Sequence, residues 1–206
     1  GSFDTIGTST IRTIARWDGT AWVRVFDDIY GDCAALCTFD FDGPGPLPER
    51  LAAAGEFSSN GSSARLLVRT GTTWSPFPNT DFSPRLISPF DPDGAGPRPT
   101  RLVVGGRGSL TPSGYYPNIY WWDDAGFEPF NPGIRGFFYP GPSVAALAVL
   151  QPVGEPPRLA AGGYFNSAGD HVSSAFAIWT CAPAAPCYPN CDGSTAEPTL
   201  NVSDFV

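Results

Sequence analysis

Lysine and methionine are absent from this 206-residue chain, histidine occurs once, and charged residues make up only 16%. Each shortage removes a class of function. Nucleic-acid binding draws its affinity from Lys and Arg clustered against phosphates. Here twelve scattered arginines face twenty acidic residues, for a net charge of -8 and a sequence pI near 4.4. With His171 as the single histidine, no two-His zinc centre can form, and any Ser-His-Asp arrangement depends on one residue in the polar stretch Ala168–Ser174, where an inter-strand loop is expected. Long apolar runs are also missing. The longest, Val144–Leu150, is far short of the roughly 20 residues that span a bilayer as a helix. No charged segment followed by an apolar stretch opens the chain, so a signal peptide is expected to have been removed or to lie outside this sequence, with Gly1 a processed or cut end.

What is abundant points the other way. The chain holds 24 Gly and 23 Pro, and 14% of its residues are aromatic. Many turn formers beside much aromatic surface suit short strands joined by tight turns and disfavour long helices. The expected fold class is all-β.

The strongest signal is internal repetition. Phe39–Gly55, FDFDGPGPLPERLAAAG, matches Phe90–Gly106, FDPDGAGPRPTRLVVGG, at an offset of 51 residues. A third copy, Leu150–Gly163, keeps the Arg-Leu-x-x-x-Gly core, making Arg50, Arg101 and Arg158 equivalent, with a period of about 51 to 57 residues. A second phrase recurs between these anchors: Ile14–Trp22 (IARWDGTAW), Leu66–Trp74 (LLVRTGTTW) and Ile119–Phe127 (IYWWDDAGF), with Phe176–Trp179 beginning a fourth copy. Each is an apolar strand, a Gly-containing turn and an aromatic that opens the next strand, the pattern of a tight hairpin. One period therefore holds about four short strands, the size of a propeller blade, in which inner strands are small and apolar because both faces are covered.

These phrases resemble secreted bacterial β-propeller repeat proteins of kelch-like layout, abundant in planctomycete-like bacteria, with blades of the form Gly-Gly-x-Phe, short loop, Ile-Ala-Arg-Trp-Asp-Gly, x-Trp. The resemblance covers residues 1 to 180. Gly162–Gly169 and Ile14–Trp22 follow the pattern, while Gly106-Arg107-Gly108 lacks the aromatic and Arg69-Thr70-Gly71 replaces Trp-Asp-Gly. It implies four-stranded antiparallel blades, about three and a half of them, since Gly1-Ser2-Phe3 resembles the tail of a Gly-Gly-x-Phe strand and the last copy stops before its final strand. Propellers share no single activity. Open blade edges pair with other chains, so the expectations are a fragment, two chains that complete each other, or a head-to-tail filament.

Five cysteines fall as Cys33 and Cys37, then Cys181, Cys187 and Cys191. These spacings fit zinc sites poorly and favour disulfides among Cys33, Cys37, Cys181 and Cys187, with Cys191 the candidate unpaired thiol. Disulfides imply export and a secreted, extracellular or cell-surface location. Residues 181–189 form a Pro/Ala linker. Residues 190–206 resemble the first calcium half-site of dockerin-like anchoring modules, although Asn stands where Asp is usual and the second half-site is missing. The resemblance implies calcium as a cofactor, with Asn190, Asp192, Ser194, Asn201 and Asp204 supplying hard oxygens. It also implies a Cys after Asp-Phe-Val that would pair the odd thiol.

Other candidates weigh toward structure. Asp40-x-Asp42-Gly43 and Asp91-x-Asp93-Gly94 resemble calcium ligands, yet the third copy, Gln151-x-Val153-Gly154, keeps the Gly and loses both carboxylates, which favours a hairpin turn. Asp27 with Asp28, and Asp123 with Asp124, point to opposite faces of a strand and cannot flank one glycosidic bond. Trp17, Trp122 and Trp179 recur at one repeat position, and Trp22 and Trp74 at another, which favours packing between blades over an exposed sugar-binding surface. Tyr115, Tyr116 and Trp121 break that pattern and are the candidates for an exposed binding patch. Asn60 and Asn201 stand in glycosylation acceptor patterns. The expected function is a non-catalytic extracellular scaffold that associates with itself or with other extracellular proteins. The alternative is a carbohydrate- or matrix-binding module with a calcium-dependent anchor.

Overall fold

The structure, a computed structural model, describes residues 1–25, 29–40, 42, 45–59, 61–77, 82–94, 99–108, 118–123, 126–130, 133–136 and 141–180. Among these residues there is no helix, and every strand pairing is antiparallel. The chain opens with two small hairpins, β1 (Thr5–Ile6) with β2 (Ser9–Thr10), and β3 (Ala15–Trp17) with β4 (Trp22–Arg24). Sheet I follows as β5 (Ile29–Phe39), β6 (Arg50–Ser59), β7 (Ser62–Thr70) and β8 (Thr73–Phe77), hydrogen-bonded in chain order. Sheet II repeats that order with β9 (Phe82–Phe90), β10 (Arg101–Gly108), β11 (Ile119–Asp123) and β12 (Gly126–Pro129). After β13 (Ile134–Arg135), sheet III runs β14 (Ser143–Leu150), β15 (Arg158–Tyr164) and β18 (Phe176–Thr180). The short strands β16 (Ser167–Ala168) and β17 (His171–Val172) form a hairpin that pairs with β13.

One register governs all three sheets. The Leu of each Arg-Leu motif sits opposite the fourth residue of the hairpin phrase: Leu51 with Arg69, Leu102 with Trp122, Leu159 with Trp179. The first two strands of each sheet also carry one extra residue at the same place, Ala34, Arg85 and Ala145, where the register shifts. This bulge explains the recurrent glycine. A Cβ on Gly55, Gly106 or Gly163 would collide with the carbonyl oxygen of Asp32, Ser83 or Ser143 on the bulged strand.

The sheets stack face to face in chain order. Ile14 and Val25 of the β3–β4 hairpin pack with Cys33, Ala53, Phe57 and Leu67 of sheet I. The other face of sheet I, including Phe39, Ala52, Ala54 and Val68, packs with Leu102, Val104 and Trp122 of sheet II. Val103, Ile119 and Trp121 on the far side of sheet II pack with Val144, Leu159 and Trp179 of sheet III. Alternate residues of β6 and β10 thus serve two different cores, which is why their central stretches, Leu51–Ala54 and Leu102–Val104, are apolar without interruption. The ridge Glu56 adds a polar link, accepting hydrogen bonds from Arg65 Nη1 at 2.5 Å and from Ser83 Oγ of the next sheet at 2.9 Å.

Candidate interaction surface

The β3–β4 hairpin stands at one end of the stack, before sheet I. Its turn is set by Asp18, whose Oδ1 accepts from the backbone N–H groups of Thr20 and Ala21, each at 2.8 Å, and from Thr20 Oγ1 at 2.9 Å. The Ala21 and Thr20 amides hold that carboxyl below its ordinary range. Gly19, with φ 105°, supplies the left-handed step. The turn places Trp17 directly opposite Trp22. Their rings meet edge to face, with centroids 5.6 Å apart at 61°. The two side chains are 52% and 47% exposed.

Both were expected in a core, so their exposure is a correction with a geometric cause. Trp122 and Trp179 lie on the face of their sheet that looks toward the preceding one and are fully buried, whereas Trp17, three residues after Ile14, lies on the face of its hairpin turned away from sheet I. Trp122 is met edge-on by Phe39 at 6.1 Å and Phe77 at 4.7 Å, both from sheet I. Trp179 is met by Phe90 of sheet II at 5.5 Å and by Phe130, the residue after β12, at 5.8 Å. Phe39 and Phe90 hold the same position at the end of the first strand, and in sheet III that position is Leu150, 39% exposed. Among the described residues nothing plays the role of Phe39 or Phe90 for Trp17.

Trp121 corrects the expectation in the opposite direction. It is 4% exposed, stacked between Phe90 at 5.8 Å and Phe130 at 4.5 Å, with the Arg101 guanidinium 5.1 Å from its ring centroid. Neighbouring strand residues point to opposite faces, and both faces of sheet II are covered, so Trp121 and Trp122 enter two different cores. Arg101 also donates to Glu128 Oε2 at 2.8 Å. The companion candidates Tyr115 and Tyr116 lie outside the described residues, as do Asn60, Cys181, Cys187, Cys191, Asn190, Asp192, Ser194, Asn201 and Asp204, with Asp27, Asp28 and Asp124 and the side chain of Asp123.

Cys33 and Cys37 are free thiols on β5. They sit opposite Gly55 and Ala52, an odd separation on β6, so the bulge between them turns them to opposite faces. A bridge from one to the other is thereby excluded. Burial raises the thiol pKa of both, that of Cys37 to about 12.

The Asp91–Gly94 sequence forms a turn, while Phe41 and Gly43 of the first Asp-x-Asp-Gly copy lie outside the described residues. Asp91 Oδ1 accepts from the amides of Asp93 at 3.2 Å and Gly94 at 3.0 Å, and Asp40 Oδ1 accepts from Asp42 N at 3.3 Å. Gly94 and Gly154 share the left-handed backbone, φ 67° and 78°, so the third copy makes its turn without carboxylates. Burial first, then the neighbouring Asp93 carboxyl, raises the Asp91 pKa. Among the described residues no group of three or more His, Cys, Asp or Glu side chains is placed to hold a metal ion. His171 is exposed on β17, beside Asp170, which lies 3.9 Å from Arg135. No helix of the described residues is long and apolar enough to cross a membrane.

No protein-family model, curated protein or solved structure matches the chain.

Proposed function

We propose that this chain is a non-catalytic extracellular scaffold built of propeller-type blades, which associates with further copies of itself through the exposed Trp17–Trp22 face and the exposed margin of β14. Sheets I and II are the complete blades of this reading, sheet III and the β3–β4 hairpin the partial ones. One observation carries it: a repeat position that is buried against a neighbouring sheet in Trp122 and Trp179 is open in Trp17. Apolar faces of this kind mark interaction sites. The polar groups support a structural role, since Asp18 and Asp91 close turns and Glu56 ties two sheets together. The clustered Cys181, Cys187 and Cys191 support export, and residues 190–206 support a calcium-binding anchor on Asn190, Asp192, Ser194, Asn201 and Asp204. Light scattering over a concentration series, with negative-stain images, tests the scaffold reading. Oligomers or fibres are expected, and a monomer at every concentration overturns it.

A second reading draws on the same aromatic pair. Exposed indoles stack on sugar rings, so Trp17 and Trp22 replace Trp121 as the surface a carbohydrate-binding module would use. Glycan-array binding that is lost in Trp22→Ala would favour this reading over self-association.

A further inference from the structure

From the repeat register we infer that the occupant of the Trp17–Trp22 face is the outer margin of sheet III of a second copy, with Leu150 placed against Trp17 as Phe39 is placed against Trp122 and Phe90 against Trp179. This rests on the self-association reading and names its interface.

The chain itself shows what covers such a face. Two interfaces between consecutive sheets are on view, and both use the same elements. The aromatic on the fourth position of the hairpin phrase points toward the preceding sheet, and a large apolar residue from the end of that sheet's first strand meets it edge-on, at 6.1 Å and 85° for Phe39 on Trp122 and at 5.5 Å and 78° for Phe90 on Trp179. Trp17 is the receiving half of a third such contact. Leu150 is the donating half, since β14 aligns with β5 and β9 residue for residue through the bulge: Cys33, Pro84 and Val144 precede it, and Phe39, Phe90 and Leu150 end the strand. Both halves are exposed, at 52% for Trp17 and 39% for Leu150. The margin around Leu150 is suited to close approach, for Ala146 and Ala148 are exposed beside it, and their side chains are small.

The two halves lie at opposite ends of the described stack, and among the described residues no core cluster joins sheet III to the residues around β3 and β4. A contact between them therefore joins one copy to the next head to tail, and such a contact either closes into a ring or propagates. The partner face is recognised by shape and apolarity. A chain of net charge -8 repels its own copies at long range, so association should tighten as salt screens that repulsion.

The test uses the full chain in sedimentation velocity over a concentration series, at low and moderate salt. Trp17→Ala and Trp22→Ala are expected to weaken association at least tenfold, because aromatic anchors at the centre of an interface dominate its affinity. Leu150→Phe restores the aromatic that sheets I and II use and is expected to tighten association about tenfold. A photo-crosslinker at position 150, in a mixture of isotope-labelled and unlabelled copies, should capture the peptide carrying Trp17 from the other copy. Association that is unchanged in all three variants overturns the interface while leaving self-association standing. Cross-links only within one copy overturn it as well, and a wild-type chain that stays monomeric overturns both readings.

Discussion

Thr13 and Ala175 hold the same place in two copies of the repeat, and both have a left-handed backbone, with φ 65° and 67°. Each amide donates to the carbonyl of an equivalent phenylalanine, Thr13 to Phe3 at 3.3 Å and Ala175 to Phe165 at 3.0 Å. This contact closes the chain on either side of the small hairpins β1–β2 and β16–β17, and the strained residue is its cost. A left-handed non-glycine residue costs about 1–2 kcal/mol.

Ala175→Gly relieves that strain at an exposed site, against a loss of about 0.5–1 kcal/mol for the looser unfolded chain. A net gain of about 0.5–1 kcal/mol is expected in urea unfolding. Thr13→Gly should gain nothing, since Thr13 is buried and its Oγ1 donates to Gly31 O at 3.2 Å. Equal gains at both positions would show that strain alone sets the balance.

The recurrent glycine gives a second test. Gly106→Ala forces a Cβ into the Ser83 carbonyl, and the bulged strand must move; a loss of about 2–4 kcal/mol is expected. Gly162, one residue earlier in its copy, has only Ala146 Cβ at 3.8 Å and the Ala175 carbonyl at 3.9 Å near a new methyl. The same position is Ala54 in sheet I. Gly162→Ala should stay within about 1 kcal/mol of the parent by thermal melting.

How far the sequence foretold this arrangement depends on the residue. The Arg-Leu-x-x-x-Gly core and the hairpin phrase revealed antiparallel four-strand units, because a Gly turn between two apolar stretches is a local signal and its repetition gives the size of the unit. Trp121 was misplaced because one strand cannot show from its own pattern that both of its faces are covered. Trp17 was misplaced for the complementary reason: repetition predicts burial only where a neighbouring copy supplies Phe39 or Phe90. The hairpins β1–β2 and β16–β17 escaped notice because two-residue strands carry no periodicity and are held by Thr13 and Ala175, whose sequence gives no sign of a left-handed backbone. The cysteine spacing favoured disulfides among Cys33, Cys37, Cys181 and Cys187 without fixing their pairing, and the bulge between Cys33 and Ala35 turns Cys33 and Cys37 away from each other.

Acid should loosen the link between sheets I and II. The Ser83 hydroxyl, then Arg65, holds the Glu56 carboxyl below its ordinary value of 4.5. A depressed carboxyl stabilises the fold above that ordinary value, and the contribution is lost as pH falls through the lowered one. The Glu56 side chain is 58% exposed, so solvent screening limits the effect to about 0.5 kcal/mol. Glu56→Gln should lower stability by about that amount at pH 7 and converge with the parent near pH 2, as measured by denaturant midpoints.

Alkali acts on the thiols. Cys37 carries a pKa pushed up to about 12 by burial, against 9.0 when exposed. A thiol with a raised folded pKa contributes stability that is complete below 9.0 and is lost as pH rises toward 12. Cys37→Ala should therefore flatten the fall in melting temperature between those pH values. In the native chain at pH 8, Cys33 and Cys37 should also react with a thiol reagent at least a hundredfold more slowly than after denaturation.

Trp122 and Trp17 share a repeat position, yet their truncation should have very different effects. Trp122 is fully buried between Phe39 and Phe77, so Trp122→Ala leaves a cavity between sheets I and II and is expected to cost about 3–5 kcal/mol. Trp17 touches Trp22 on a face that is otherwise open, and Trp17→Ala should cost within about 1 kcal/mol in dilute solution. The concentration dependence is the sharper readout. The cost of Trp122→Ala arises within one copy and stays constant, whereas the cost of Trp17→Ala should grow with protein concentration as copies of the parent associate. A large, concentration-independent loss in Trp17→Ala would mean that another part of the same chain covers the hairpin, and the open face would then be closed from within.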